Sequence, residues 1–343
     1  MKVGILNVTG YAGMELARIL ARHPEVEIVG VTGRSEVGNS LGAVYPHLAS
    51  LGLPIVPEIS GSVDLVFSAL PHKASAAGCL PFLQSGVKVI DISGDFRLRN
   101  VAEYQEWHGI EHPCPEYLEE AVYGLPEIHK KAISESNLVA NPGCYPTSAI
   151  LALAPAVDAG LVEGRIIIDS KSGVSGAGRG LSLGTHFSEV NESVSAYALG
   201  GHFHLPEITQ ELNLLNPQEE LRITFQPHLI PMTRGILSTC YAPLKNNALP
   251  NVDPTTALRS LYAEFYLEEP FVKLADTPPA TKHTLGNNDC IVYPVLDRER
   301  EHLLIISCID NLTKGAASQA VQNMNIMFGI PEVEGLEALA LYP

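Results

Sequence analysis

Val3-Gly4-Ile5-Leu6-Asn7-Val8-Thr9-Gly10-Tyr11-Ala12-Gly13 is the stretch on which the fold turns. Its first four residues make a short apolar run of the kind buried in a parallel sheet, and the remainder is a turn that opens a helical pattern. Small residues after a first strand let the backbone approach a pyrophosphate, while the free N–H groups and dipole of the following helix favour the anion. Gly10, Tyr11, Ala12 and Gly13 are therefore candidate cofactor-binding residues, although two glycines that only pack a helix on a strand would leave the same trace. Asn7 stands where the dinucleotide-binding fingerprint has its leading glycine; Asn tolerates left-handed backbone angles, so the turn is expected to survive.

Outward from this turn, short Val- and Ile-rich runs alternate with amphipathic stretches. Glu27 to Val31, Leu65 to Leu70 and Val87 to Ile92 read as further parallel strands, with Glu15 to Arg22 and Ala74 to Gln84 as helices. Such β-α-β alternation predicts a doubly wound sheet with ligands at the carboxyl ends of its strands. The second strand ends Val31-Thr32-Gly33-Arg34-Ser35. An Arg beside a hydroxyl suits a ribose 2′-phosphate and points to NADP rather than NAD, the common alternative being an exposed Arg in a surface loop; Arg34 and Ser35 are the candidates.

A fifth strand-like segment, Asn137 to Ala140, runs into Asn141-Pro142-Gly143-Cys144-Tyr145-Pro146, and Thr147 to Ala159 then has a helical pattern. From Arg165 onward the runs are β-rich: Ile166 to Ile168, Leu221 to Phe225, Ile236 to Ala242, Ile291 to Val295 and Leu303 to Ile309. A mostly antiparallel sheet with covering helices is expected there. The last helix, Ala316 to Phe328, carries Ala317, Val321, Met324 and Phe328 on one stripe.

The 343 residues are 46% hydrophobic and 17% charged, which excludes disordered, coiled-coil and collagen-like classes. A net charge of −16 repels polyanions, so neither a nucleic acid nor an anionic membrane surface is expected as main partner. Met1-Lys2 leads straight into a strand-like run without the features of a signal peptide, and no apolar run approaches about 18 residues. A soluble, cytoplasmic protein is the expectation.

The six cysteines show no zinc-ribbon or C-x-x-C spacing and are expected to be free thiols. Cys144 differs from the rest by its place at a strand-to-helix junction, where the helix dipole lowers a thiol pKa toward neutrality; read alone, it is as much a small buried hydrophobe as a nucleophile. Its company decides. A cysteine nucleophile with a nicotinamide cofactor is the apparatus that interconverts an aldehyde and an activated acyl group, because a thioester accepts hydride where a free carboxylate does not. A proton donor is then required, and Gly200-Gly201-His202-Phe203-His204-Leu205-Pro206-Glu207 offers two histidines. The pair lies on one face if the segment is a strand. Core histidines and a metal site are the alternatives, the latter without a suitably spaced third ligand. The Ser172–Arg179 loop, with Gly176 and Ala177, could set backbone amides against phosphate or nicotinamide, or be a plain flexible loop.

Together these segments resemble the N-acetyl-gamma-glutamyl-phosphate reductase family over nearly the whole chain. The matching stretches are Thr9 to Gly13, Ala69-Leu70-Pro71-His72, Asp91 to Leu98, Tyr123 to Glu127, Asn141 to Thr147, Gly201 to Ile208 and Ile309 to Ala317. The resemblance implies a Rossmann-type NADP-binding domain at 1–142 and 316–343, and an α+β catalytic and oligomerisation domain at 143–315. It implies NADPH as cofactor, a small-molecule acyl phosphate bearing an N-acetyl group as substrate, no metal, and a homo-oligomer, dimer or tetramer. It makes Cys144 the nucleophile and His202 the favoured acid/base, with His204 orienting substrate or sharing the role. Pro71 and Asn311 join the cofactor contacts on the same basis. Three positions depart from the family pattern: Asn7 for Gly, Gly94 for Ala, and Phe203 for the Arg between the histidines. Sister reductases of other acyl phosphates, and a dinucleotide-sensing regulator without turnover, are the competing readings.

Overall fold

The computed structural model describes residues 1–250, 252–299 and 301–342. The chain divides into two compact units, Met1–Gly143 with Ala316–Ala338, and Cys144–Gly315 with the residues from Leu339 on. In chain order the first holds β1 (Lys2–Leu6), α1 (Tyr11–Leu20), β2 (Glu27–Thr32), α2 (Leu41–Val44), β3 (Ile55–Val56), β4 (Leu65–Ser68) and α3 (Ser75–Gln84). It continues with β5 (Lys88–Asp91), α4 (Val101–His108), α5 (Tyr117–Glu120), β6 (Val122–Tyr123), α6 (Pro126–Glu135) and β7 (Leu138–Ala140). The second holds α7 (Cys144–Asp158), β8 (Arg165–Ser172), α8 (Phe187–Val190), β9 (Ser195–Ala196), α9 (His204–Leu215), β10 (Arg222–Leu229) and β11 (Ile236–Pro243). It ends with α10 (Pro254–Phe265), β12 (Val272–Leu274), β13 (Cys290–Leu296) and β14 (His302–Ile309). After a π-helical turn at Thr313–Ala317, α11 (Ser318–Met327) belongs to the first unit.

The first sheet has the order β3-β2-β1-β4-β5-β7-β6, with every neighbouring pair parallel. β1, β4 and β7 are buried almost throughout, as short Val- and Ile-rich runs covered on both faces should be. The order reverses at β1, so the crevice beyond the carboxyl ends of β1 and β4 is the switch point where such sheets bind ligands. α11 is held in this unit by amides: Gln319 Nε2 and Asn323 Nδ2 both donate to Gly124 O at 2.8 Å. Gly124 must lack a side chain, since a Cβ there would lie 2.5 Å from Asn323 Nδ2 and from Val139 Cγ1.

The second sheet has the order β12-β13-β14-β11-β8-β10-β9. β12–β13 and β8–β10 are parallel and the other pairs antiparallel, so the sheet is mixed with an antiparallel majority. β8 and β11 alternate between buried and more exposed residues, which marks one packed face. α7 lies against β11, β13 and β14 and is buried from Tyr145 to Val157. Pro155 within α7 has no N–H for the carbonyl one turn earlier, and the Tyr266 hydroxyl donates to Leu151 O instead.

The sequence places 316–343 entirely with the first unit. In the structure the residues from Leu339 on go with the second, where the Leu341 N–H donates to Leu285 O at 2.8 Å. Among the described residues no helix is long and apolar enough to cross a membrane.

Candidate active site

In the first unit, the turn after β1 is tight and backbone-lined. Asn7 has φ +62°, the left-handed conformation that its replacement of glycine requires, and its Nδ2 donates to Ala69 O at 2.8 Å beyond β4. A Cβ on Gly13 would lie 2.5 Å from Asn7 O and 2.8 Å from Val8 Cα, so only glycine lets α1 start this close to the strand. Gly10 is the N-cap of α1 and no side chain caps the helix, which suits an anion drawn to its first amides. Arg34 and Ser35 are exposed just past β2, and Pro71 is exposed just past β4. Gly10, Tyr11, Ala12, Gly13, Arg34, Ser35 and Pro71 thus follow the carboxyl ends of three neighbouring parallel strands. Room for backbone approach, an uncapped helix start and a nearby guanidinium are features a dinucleotide phosphate group fits.

Asp95 and Arg97 shape the same edge. The Asp95 carboxylate accepts from the Ser75 and Ala76 N–H groups at 3.0 Å, at the start of α3, and from Lys73 N at 2.7 Å. Buried Arg97 donates through Nε to Asn141 O at 2.8 Å and through Nη2 to Ile92 O at 2.8 Å, fixing the turn that follows β7. Gly94 donates its N–H to His72 Nδ1 at 2.7 Å; a methyl group there would lie 3.0 Å from that nitrogen.

In the second unit, Cys144 is the first residue of α7. It is half-buried, whereas Cys79, Cys114, Cys240, Cys290 and Cys308 are buried. One turn along the helix, the Ser148 hydroxyl meets Ser307 Oγ at 2.6 Å and donates to Ser238 Oγ at 2.9 Å, and Ser238 meets Ser170 at 2.7 Å. This buried hydroxyl chain ties α7 to β14, β11 and β8. Against the other side, Gly315 leaves no room: a Cβ on it would sit 2.7 Å from Cys144 Cβ.

His202 and His204 are both buried, with ring centroids 4.6 Å apart. His204 opens α9 and His202 lies just before it, so the segment is a helix start rather than the strand that its alternation suggests. Their rings come together because His202 folds back on the helix: its Nδ1 accepts the His204 backbone N–H at 3.1 Å. A neutral His202 ring therefore carries its proton on Nε2. Phe203 stacks on it at 4.5 Å, and Tyr145, Tyr197 and Phe225 stand edge-on around it at 5.5–5.8 Å. Burial in this aromatic cage pulls the His202 pKa down to about 4. Tyr145 also faces the His204 ring at 5.9 Å, and its hydroxyl lies 2.9 Å from that of Tyr197.

Gly176 and Ala177 lie in a 3-10 turn after β8. Asn311 organises this turn, since its Nδ2 donates to Ser175 Oγ at 2.9 Å while its Oδ1 accepts from Gly235 N at 2.8 Å. In the second unit, His202 and His204 come together against Tyr145, the residue after Cys144, and separately Asn311 joins the Gly176 turn. Tyr145, Tyr197, Ser148 and Gly315 have no role in the reading of the sequence. Tyr145 and Gly315 stand in stretches that carry the resemblance, whereas Tyr197 meets Tyr145 from 52 residues away and Ser148 meets Ser238 and Ser307 from 90 and 159 residues away, so neither meeting leaves a local signal.

Comparison with known proteins agrees with this division. Residues 2–136 match the semialdehyde dehydrogenase NAD binding domain family, and 144–311 match the semialdehyde dehydrogenase dimerisation domain family. An N-acetyl-gamma-glutamyl-phosphate reductase of Dehalococcoides mccartyi is 56% identical over 342 residues, covering 100% of this chain and 99% of that one. This chain belongs to the N-acetyl-gamma-glutamyl-phosphate reductase family. A relative of the same name from Pelotomaculum thermopropionicum is 49% identical over 351 residues, covering 100% of this chain and 99% of its own. Among solved structures, aspartate semialdehyde dehydrogenase II of Vibrio cholerae aligns with a TM-score of 0.71 at 16% identity, over 96% of this chain and 98% of that one. The Candida albicans aspartate semialdehyde dehydrogenase with NADP gives the same score and identity over 95% and 98%. At that identity the likeness is one of fold.

Proposed function

We propose that this protein reduces N-acetyl-γ-glutamyl phosphate to N-acetylglutamate semialdehyde with release of phosphate, the NADPH-dependent reductive step of arginine biosynthesis. The observation that carries the reading is Cys144, the one half-buried cysteine among six, at the start of a buried helix whose next residue, Tyr145, has its ring against two histidines. The helix N-terminus favours the thiolate over the thiol. Its sulfur attacks the acyl carbon, the bond to phosphate breaks, and a thioester forms at Cys144. NADPH, when bound, supplies the hydride for reduction of that thioester. The tetrahedral species then collapses, expelling the thiolate and freeing the aldehyde.

The two histidines divide the remaining work differently from the sequence expectation. His202, neutral and with Nδ1 committed to a backbone N–H, is suited to donate from Nε2 to the developing oxyanion rather than to carry a proton back and forth. Proton exchange then falls to His204. In the first unit Gly10 to Gly13 would hold the pyrophosphate of NADPH and Arg34 and Ser35 its 2′-phosphate, with Pro71 a further cofactor contact; in the second unit Gly176, Ala177 and Asn311 are the residues suited to the cofactor.

We also infer a homo-oligomer formed through the second unit. Leu181, Leu183, Phe187, Val194 and Leu199 are exposed along one segment, and Ile167 and Tyr241 on the open face of the second sheet. Apolar surface so concentrated suits burial against a second copy. Phosphate-dependent NADP reduction with a panel of semialdehydes tests the reaction: N-acetylglutamate semialdehyde should be the preferred substrate, and a preference for aspartate semialdehyde would move the protein to a sister activity.

A further inference from the structure

We propose that Asp310 is a positioning residue for Cys144, acting through the turn of residues 311–315 that backs the nucleophile. The inference rests on the reading of Cys144 as the nucleophile. Asp310 follows β14 and is fully buried, with both carboxylate oxygens in use. Oδ1 accepts the backbone N–H groups of Leu312 at 2.8 Å and Thr313 at 3.3 Å, the first donors of the turn. Oδ2 accepts the Gly286 N–H at 2.8 Å and meets Nη1 of Arg234 at 3.3 Å, a pairing that offsets the cost of enclosing the charge. The Asp310 carbonyl closes the same turn by accepting the Gly315 N–H at 3.0 Å.

Gly315 is where the turn reaches the nucleophile. A Cβ on it would lie 2.7 Å from Cys144 Cβ, 3.2 Å from Cys144 Cα and 3.3 Å from Asp310 O, so the glycine is wedged between that carbonyl and the base of the cysteine side chain. Movement of the turn is therefore passed to Cys144. What fixes the turn in place is the other half of the carboxylate. Arg234 belongs to the connection from β10 to β11, and the next residue, Gly235, donates its N–H to Asn311 Oδ1 at 2.8 Å. Asp310 and Asn311 thus fasten the turn to that connection at two successive residues. Capping the turn would need Oδ1 alone; holding Gly286 and Arg234 as well makes Asp310 the joint of three segments.

An amide has one acceptor oxygen where a carboxylate has two, so Asp310→Asn must release either the turn or its anchor. In the full-length protein the turnover number of this variant should fall by about a hundredfold, the cost of displacing a reacting atom by about 1 Å, with little change in KM. Iodoacetamide is small and needs no fixed approach, so it should still alkylate Cys144 at close to the wild-type rate. The five other cysteines are buried, and the fast-reacting thiol therefore counts folded sites. A purely structural role predicts the reverse, a lower urea midpoint with turnover per reactive thiol unchanged, and that result overturns the inference. Asp310→Ser keeps a hydroxyl for Leu312 and Thr313 while abandoning Gly286 and Arg234, and should show the same fall if Asp310→Asn does not fold. Loss of both alkylation and circular dichroism in the two variants makes Asp310 a folding residue and also overturns the inference. A wild-type protein with no fast phase that Cys144→Ser abolishes removes the nucleophile itself, whereas unchanged turnover in a folded variant removes only the part assigned to Asp310.

Discussion

The backbone N–H of His204 donates to Nδ1 of His202 across 3.1 Å, in a buried segment where both rings pack on Tyr145. One bond therefore sets the tautomer of the first histidine and ties it to the helix that begins with the second. Protonating His202 at Nδ1 would break that bond and bury a charge in an aromatic cage.

The pH dependence of stability follows from this. His202 in the folded protein sits near 4, below its ordinary value of about 6.5, so between those limits the unfolded chain binds more protons than the folded one. Stability from the neutral ring is present in full above about pH 6.5 and declines as the pH falls toward 4. His202→Gln should flatten that part of the profile in urea unfolding followed from pH 7 to 4. Subtracting variant from wild type removes groups with the opposite trend, such as Asp91, whose carboxyl burial raises to about 6. A difference profile with no slope would mean that His202 titrates normally in the fold.

Cys144→Ser should abolish turnover, by several orders of magnitude, and leave NADPH binding nearly unchanged, because the thioester requires sulfur while the cofactor turn lies in the other unit. Steady-state kinetics with fluorescence titration of NADPH check this together. More than about a tenth of wild-type activity is too much for a reaction that passes through this thiolate.

Arg34→Leu should weaken NADP by about 2 kcal/mol, roughly thirtyfold, and NAD far less, since a 2′-phosphate is the group a guanidinium beyond β2 can distinguish. Titration of both nucleotides against the variant measures the ratio. Equal losses would remove Arg34 from cofactor selection.

Gly315→Ala places a methyl group where Cys144 Cβ already stands, 2.7 Å away. The nucleophile must shift, and a displacement of even about 1 Å is worth about a hundredfold in rate. The turnover number should drop by about that factor while the circular dichroism spectrum is retained. Unchanged kinetics would show that the turn at Thr313–Ala317 can yield without moving the sulfur.

Much of this was legible in the sequence, for reasons that differ from one element to the next. The strands from Lys2 to Leu6 and from Leu65 to Ser68 are short, apolar and covered on both faces, a pattern that survives any tertiary context. Asn7 could be read as left-handed because few residue types tolerate φ +62°. The histidine segment misled because two histidines separated by one residue mimic strand alternation. The helical signal lay downstream, in buried Ile208 and Leu212 four residues apart with Pro206 in the first turn. Tyr197 could not have been found: it reaches Tyr145 only through the pairing of β9 with β10, and no pattern near residue 197 records a partner 52 positions earlier.

The serine chain beneath Cys144 makes the durability of the site a property of the whole second sheet. Ser148, Ser170, Ser238 and Ser307 join α7 to three strands at its centre, with every hydroxyl enclosed. No outer loop can loosen that attachment while the core stays intact. Heat or denaturant should therefore extinguish thiolate reactivity in the same cooperative event that melts the sheet, leaving no folded but inactive species in between.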